Sequence, residues 1–232
     1  EYTEKGTGHR NYFSEENAKK IDAICMFLEN QLHIDNISED EFYVYKASLI
    51  DAISKISNTS GTYGSFLKIN DNRKFKNLLL EAQVVTDNGK ENECFCEDIR
   101  QIIKHVDGDI LYLDPPYNNR QYPPYYHILE TATLYDEPDI YGKTGRRHYE
   151  EMLSPFCMKD KAISSMVSIV KEASFKHIYI SYSTDGIMPY KTLCNELETY
   201  GNVKLCFKAY ILYKANSNGN IEDDKGKLKE MI

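Results

Sequence analysis

The stretch Asp109-Ile110-Leu111-Tyr112-Leu113, followed at once by Asp114-Pro115-Pro116-Tyr117, constrains this chain more than any other. The apolar, aromatic run reads as a buried strand, and the proline pair cannot continue a central strand because neither ring nitrogen donates to a ladder. The strand therefore stops at Leu113 and presents the Asp114 carboxylate at its C-terminal end, the edge of an open α/β sheet where ligands bind. A second run, Lys176-His177-Ile178-Tyr179-Ile180-Ser181-Tyr182, also reads as a buried strand, with Ser181, Tyr182 and Ser183 at its far end beside the same edge. Between them Ile163, Met166, Val167 and Val170 recur at helical spacing, so strand, helix and strand predict a parallel crossover.

Asp-Pro-Pro-Tyr suits methylation of an amine conjugated to an aromatic ring. Such a nitrogen is a poor nucleophile, and two acceptors on its N–H groups favour the pyramidal form and the positive charge that develops on attack. Asp114 supplies one acceptor and the Pro115 carbonyl, held by two consecutive rings, supplies the other. Tyr117 offers a face on which a base swung out of its duplex can stack.

These residues resemble the Dam-like class of DNA N6-adenine methyltransferases, whose motif is Asp-Pro-Pro-Tyr. Arg10-Asn11-Tyr12-Phe13, Glu16-Asn17-Ala18, Ser57-Asn58-Thr59-Ser60-Gly61-Thr62-Tyr63-Gly64, Tyr117-Asn118-Asn119-Arg120-Gln121-Tyr122 and Gly142-Lys143-Thr144-Gly145 are similar to segments of adenine methylases from restriction-modification systems. The resemblance implies an α/β fold: a partial Rossmann-like methyltransferase sheet with an attached helical DNA-recognition lobe. It places target recognition in residues 1–90 and the catalytic core in residues 91–232. It also implies S-adenosylmethionine as cofactor and double-stranded DNA as substrate. Asp114 and Asp98 are then cofactor-binding candidates, Asp98 because an acidic residue at a strand end in this family contacts the adenosyl group. As the residue before Ile99-Arg100-Gln101-Ile102, Asp98 is equally a good helix N-cap.

One departure stands against this match. The family's Phe-x-Gly-x-Gly cofactor loop does not occur upstream of Asp114; Gly6-Thr7-Gly8 follows no apolar strand, and Gly186, Gly201 and Gly219 are isolated. The expectation is a C-terminal part of a longer enzyme, or half of a split one, inactive alone and completed by the missing N-terminal segment. Two other readings remain open: a DNA-binding or specificity partner without catalysis, and a methyltransferase acting on cytosine N4, RNA adenine or a protein amide. Asp rather than Ser or Asn at position 114 leans towards adenine.

The first ninety residues are helical in pattern. Ser14 to Leu32 carries an apolar stripe on Ala18, Ile21, Ile24, Cys25 and Leu28, and Ser38-Glu39-Asp40-Glu41 has capping-box spacing for a second helix to about Ile56. Ser57–Gly64 is a small-residue loop, either an interhelical turn or the lining of a DNA or cofactor cleft; the basic residues that follow favour the lining. Glu93–Glu97 is a candidate short strand. Pro189 and Gly201 bracket a further helix, Val203–Lys214 suggests a strand or hairpin, and the polar residues from Asn216 onward suggest a frayed tail.

A net charge of −8 rules out a grip on phosphates through the overall field, so any DNA contact is local. The candidates are Lys68, Arg73, Lys74 and Lys76, then Arg120 and Tyr122 in the polar, tyrosine-rich loop after the motif, then Lys143 and Arg146. His127 reads as structural, because the amine sheds its proton only once cationic and needs no strong base. Gly142-Lys143-Thr144 is no phosphate loop, since position 137 is Glu137 and no strand feeds it. Six cysteines without paired C-x-x-C spacing read as reduced thiols of a cytoplasmic protein, and no metal site is expected.

Overall fold

The two amphipathic patterns of the first ninety residues become α1 (Glu15–His33) and α2 (Glu39–Ile56), and each begins at the cap that the sequence supplies. The Ser14 side chain accepts from the Asn17 N–H, and Ser38 and Glu41 close a reciprocal capping box, satisfying N–H groups that have no partner within the helix. The computed structural model describes residues 1–211 and 227–231. It is a mixed helix and strand structure containing a small parallel sheet, and it divides into two compact units.

The first unit comprises Glu1–Lys90 and Tyr122–Met152. The second segment packs here rather than with the residues around Asp114, where a linear reading of the chain places it. The physical reason lies in α4 (Pro123–Leu134), which buries Ile128, Ala132 and His127 among Tyr12, Tyr63 and Ile53. The Ser57–Gly64 loop is tied to the same helix: the Tyr63 N–H donates to the Tyr125 carbonyl at 2.7 Å, and a Cβ on Gly64 would lie 2.9 Å from the Tyr125 ring. After α4 come the short strands β2 (Ile140–Tyr141) and β3 (Arg146–Arg147), an antiparallel hairpin.

The second unit comprises Glu91–Gln121 and Leu153–Ile232. β1 (Asp107–Leu113) pairs in parallel with β4 (Ser174–Ile180), Leu111 opposite Ile178 and Leu113 opposite Ile180, and α5 (Ala162–Glu172) precedes β4. Leu113, Met166, Ile169 and Ile103 form the centre of this core. α6 (Tyr190–Leu197) adds Leu193 and Leu197, and β5 (Tyr182–Ser183), β7 (Lys227–Met231) and β6 (Phe207–Ile211) form an antiparallel sheet in that order.

Three expectations are corrected. Among the described residues β1 and β4 are covered on one face only: Ile110 is 61% exposed, Tyr112 60% and Tyr179 44%. An unbroken apolar run suggests burial on both sides, but its alternate residues here face outward. Glu93–Glu97 forms no ladder among the described residues, and Asp98 instead opens α3 (Ile99–Ile102). Within the polar C-terminal stretch, Lys227–Met231 is a strand that finds its ladder on β6; the remainder of the expected hairpin and tail, residues 212–226 and 232, lies outside the described residues.

Candidate active site

Asp114 follows directly on Leu113, whose carbonyl accepts from the Ser181 N–H at 2.9 Å, one step beyond the end of β4. The acid is thus carried at the C-terminal edge of the parallel pair. It is exposed, and Pro115 and Pro116 are half-buried beside it, so the Asp114-Pro115-Pro116 segment is not sealed in the core. Tyr117 is 47% exposed.

The loop that carries these groups is held at three points. The Ile187 N–H donates to the Tyr117 carbonyl at 2.9 Å, and the buried Cys157 thiol donates to the Arg120 carbonyl at 3.3 Å. Gln121 then makes a two-way clamp with the Ser154 backbone, donating Nε2–H to the carbonyl at 3.0 Å and accepting from the N–H at 2.8 Å. Within the loop, the Asn118 side chain accepts from the Arg120 N–H in an Asx turn. The segment supplying Ile187 is itself shaped by Tyr182, whose buried hydroxyl accepts from the Met188 N–H at 3.0 Å. Its ring leaves no room for a side chain at Gly186, where a Cβ would sit 2.3 Å away. Neither Gln121 nor Gly186 stands out by composition, and no spacing rule links Gln121 to Ser154.

Asp98 realises its N-cap reading, accepting from the Arg100 N–H at 2.9 Å. The Arg100 guanidinium also binds its carboxylate and holds the acid below the usual carboxylate range.

Of the basic candidates, Lys68 and Lys76 are exposed on the first unit. Arg73 and Lys74 are spent on structure. The Arg73 guanidinium donates to the Thr59 carbonyl at 2.8 Å and to Asp71 at 2.9 Å, bracing the small-residue loop. Lys74 is 3% exposed, with its ammonium on the Asn11 and Asn70 side-chain oxygens. A charge cluster read from sequence spacing does not distinguish a cation facing water from one turned inward. Lys143 is exposed within the β2–β3 turn, whereas Arg146 is half-buried with its guanidinium 5.3 Å from the Tyr141 ring centre, a cation–π geometry. Arg120 is exposed, and Tyr122, 56% exposed, meets Tyr126 edge to face at 6.0 Å.

His127 is 1% exposed, with Nε2 at 3.0 Å from the Tyr63 carbonyl, and burial lowers its pKa to about 4. It is therefore a neutral imidazole that donates to that carbonyl, as its structural reading requires. Among the described residues no group of histidine, cysteine, aspartate and glutamate could hold a metal ion, and no helix is long and apolar enough to cross a membrane.

The geometry can be set beside known proteins. The chain is 43% identical over 192 residues to the type II methyltransferase M.FokI of Planomicrobium okeanokoites, covering 83% of this chain and 30% of that one. It is 37% identical over 216 residues to the type II methyltransferase M.NlaIII of Neisseria lactamica, covering 93% and 64%. It is 36% identical over 229 residues to the modification methylase LlaI of Lactococcus lactis subsp. lactis, covering 96% and 36%. The chain thus spans less than two thirds of the length of each of these relatives. No solved structure matches it significantly. The D12 class N6 adenine-specific DNA methyltransferase family matches residues 1–194, and with Asp-Pro-Pro-Tyr carried at the end of a parallel strand, the chain belongs to that family.

Proposed function

We propose that this chain is the DNA-contacting and amine-activating part of a site-specific DNA adenine N6-methyltransferase of a restriction-modification system, acting in the cytoplasm on double-stranded DNA. The observation that carries the reading is the outward-facing Asp114 carboxylate at the C-terminal end of β1, on a loop pinned through Tyr117, Arg120 and Gln121. In this reading the sheet is part of a Rossmann-like methyltransferase sheet, and the helical first unit contributes the DNA-recognition surface.

Asp114 and the Pro115 carbonyl accept the two N–H groups of the adenine amine, so the nitrogen lone pair leaves conjugation and turns towards the electrophile. Tyr117 stacks on the extruded base, and on the first unit the exposed Tyr122–Tyr126 pair is by itself a candidate ring surface for DNA. After transfer the amine is cationic and releases a proton towards Asp114, so no separate base is needed. Lys68, Lys76, Arg120 and Lys143 are the candidate backbone contacts. S-adenosylmethionine, when bound, supplies the electrophilic methyl group. The residues present fit it in part: an exposed carboxylate at the strand end suits its cationic and hydroxyl groups, whereas no glycine-rich cradle occurs in the sequence. Further polypeptide supplies that cradle in our reading. Asp98, engaged by Arg100, acts first as a helix cap and reaches the cofactor only if that pair opens.

The test is methyl incorporation into duplex DNA by the product of the complete reading frame, followed by mapping of the modified base. N6-methyladenine at a fixed sequence, lost in Asp114→Ala, is the expected result. Modified cytosine, or unimpaired transfer by Asp114→Ala, refutes the reading. The 232-residue chain alone is expected to be inactive.

A further inference from the structure

We infer that Tyr182 is a positioning residue for methyl transfer, whose hydroxyl shapes the chain connection that anchors both ends of Asp114-Pro115-Pro116-Tyr117. This rests on the function proposed above and assigns to that site a residue acting through the backbone.

The tetrapeptide is hard to hold by its own N–H groups. Pro115 and Pro116 have none to donate, and a residue before proline is confined to extended geometry, so Asp114 and Pro115 form a stiff pair. Fixing such a segment falls to the carbonyls at its two ends. The Leu113 carbonyl, just before Asp114, accepts from the Ser181 N–H, and the Tyr117 carbonyl accepts from the Ile187 N–H, both at 2.9 Å. The two donors belong to one short stretch, residues 181–188, which leads from β4 to α6. A change in the shape of that stretch alters the span between the two anchors and moves the Asp114 carboxylate and the Pro115 carbonyl that lie between them.

Tyr182 sets that shape from inside. Its hydroxyl accepts from the Met188 N–H at 3.0 Å, tying the start of the stretch to its end, and Met188 is 1% exposed. The Gly186 N–H donates to the Ser183 carbonyl at 3.0 Å, closing a turn against the phenol ring, where a Cβ on Gly186 would lie 2.5 Å from Cζ. A core position at 2% exposure asks only for an apolar ring, which phenylalanine supplies without a polar atom to bury. A buried hydroxyl is kept where it has a partner, and here the partner is the residue next to Ile187. The ring serves the core and the oxygen serves the loop. Ile187 therefore aims its N–H at Tyr117 from a backbone braced one residue away.

The test uses Tyr182→Phe, which keeps the ring and removes the acceptor. In the 232-residue chain, amide exchange followed by NMR should show the Ile187 N–H exchanging several-fold faster, although its own acceptor on Tyr117 is intact. In the product of the complete reading frame, kcat and kcat/KM on duplex DNA should fall together by about 10- to 100-fold with KM unchanged, the mark of reacting groups misplaced by up to about 1 Å. Gly186→Ala, which presses on the same ring from the turn, should act alike, and the double variant should be no slower than the slower single one. Ile169→Val thins the same core from α5 and should leave kcat alone. Unchanged Ile187 exchange overturns the inference. So does faster exchange with parental kcat, or a kcat lowered equally by Ile169→Val, which makes Tyr182 an ordinary core residue. Failure of the parent enzyme to methylate adenine refutes the proposed function instead, and the Ile187 exchange still decides whether Tyr182 holds the loop.

Discussion

Gly142 and Gly145 sit at either end of the β2–β3 turn with nearly equal left-handed backbones, φ +70° and +71°. An alanine at either position meets the same penalty of about 1–2 kcal/mol for an L-residue in that region. Their surroundings differ. A Cβ on Gly142 finds only the Arg146 guanidinium, at 3.7 Å, whereas one on Gly145 falls 2.7 Å from Arg10 Nε and 2.9 Å from the Tyr2 ring. Arg10 is 9% exposed and has little room to retreat, and the Tyr2 hydroxyl donates to the Gly145 carbonyl at 2.9 Å. Overpacking costs about 1–3 kcal/mol, and the lost hydrogen bond about 1 kcal/mol more. Gly145→Ala should therefore cost about 3–6 kcal/mol where Gly142→Ala costs about 1–2. At about 2–4 °C per kcal/mol for a chain of this size, the melting temperatures should differ by several degrees, Gly145→Ala the lower. Thermal unfolding followed by circular dichroism measures both. Equal losses would falsify the claim that Arg10 and Tyr2 clamp this turn.

Other consequences follow from the described contacts. Folded His127, with its pKa lowered to about 4, binds a proton less readily than the unfolded chain, so its contribution to stability is full above about pH 6.5 and lost as pH falls towards 4. That contribution is at most about 3 kcal/mol, and a His127→Gln variant should show a shallower acid loss in urea titrations than the parent; identical slopes would remove the buried neutral imidazole. Lys74→Met should destabilise the first unit by about 1–3 kcal/mol, by taking the donor from the Asn11 side-chain oxygen while Asn70 keeps its bond from the Asn11 amide, without changing the salt dependence of DNA binding. Lys143→Ala should reduce that salt slope by about 1 and leave stability alone; the opposite assignment in binding isotherms at several salt concentrations would reverse the roles given to the two lysines. Tyr122→Ala should weaken binding to DNA carrying a mismatched, easily extruded adenine by about 1–3 kcal/mol, and unchanged affinity would exclude the Tyr122–Tyr126 pair as a stacking surface.

What the sequence made legible was local. Ser38-Glu39-Asp40-Glu41 announced its helix because a capping box is complete within four residues, and Asp114-Pro115-Pro116-Tyr117 announced a strand end because proline chemistry acts on its own backbone. What it hid depends on partners far along the chain. Lys74 looked like Lys76 until Asn11 and Asn70 were seen to claim its ammonium. β1 looked doubly buried because an apolar run carries no mark of which neighbour is present. The return of residues 122–152 to the first unit follows from the packing of α4 against α1 and α2, contacts that no periodicity within α4 specifies.

The clamp between Gln121 and Ser154 has a wider meaning, because the chain leaves the second unit just after Gln121 and re-enters it at Leu153. Two hydrogen bonds cinch the exit and the return like a drawstring, so the two ends of this break in the second unit are held together whatever length of chain is threaded between them. The intervening stretch is thereby a cassette, and insertions in its exposed turns should leave the fold of the second unit intact.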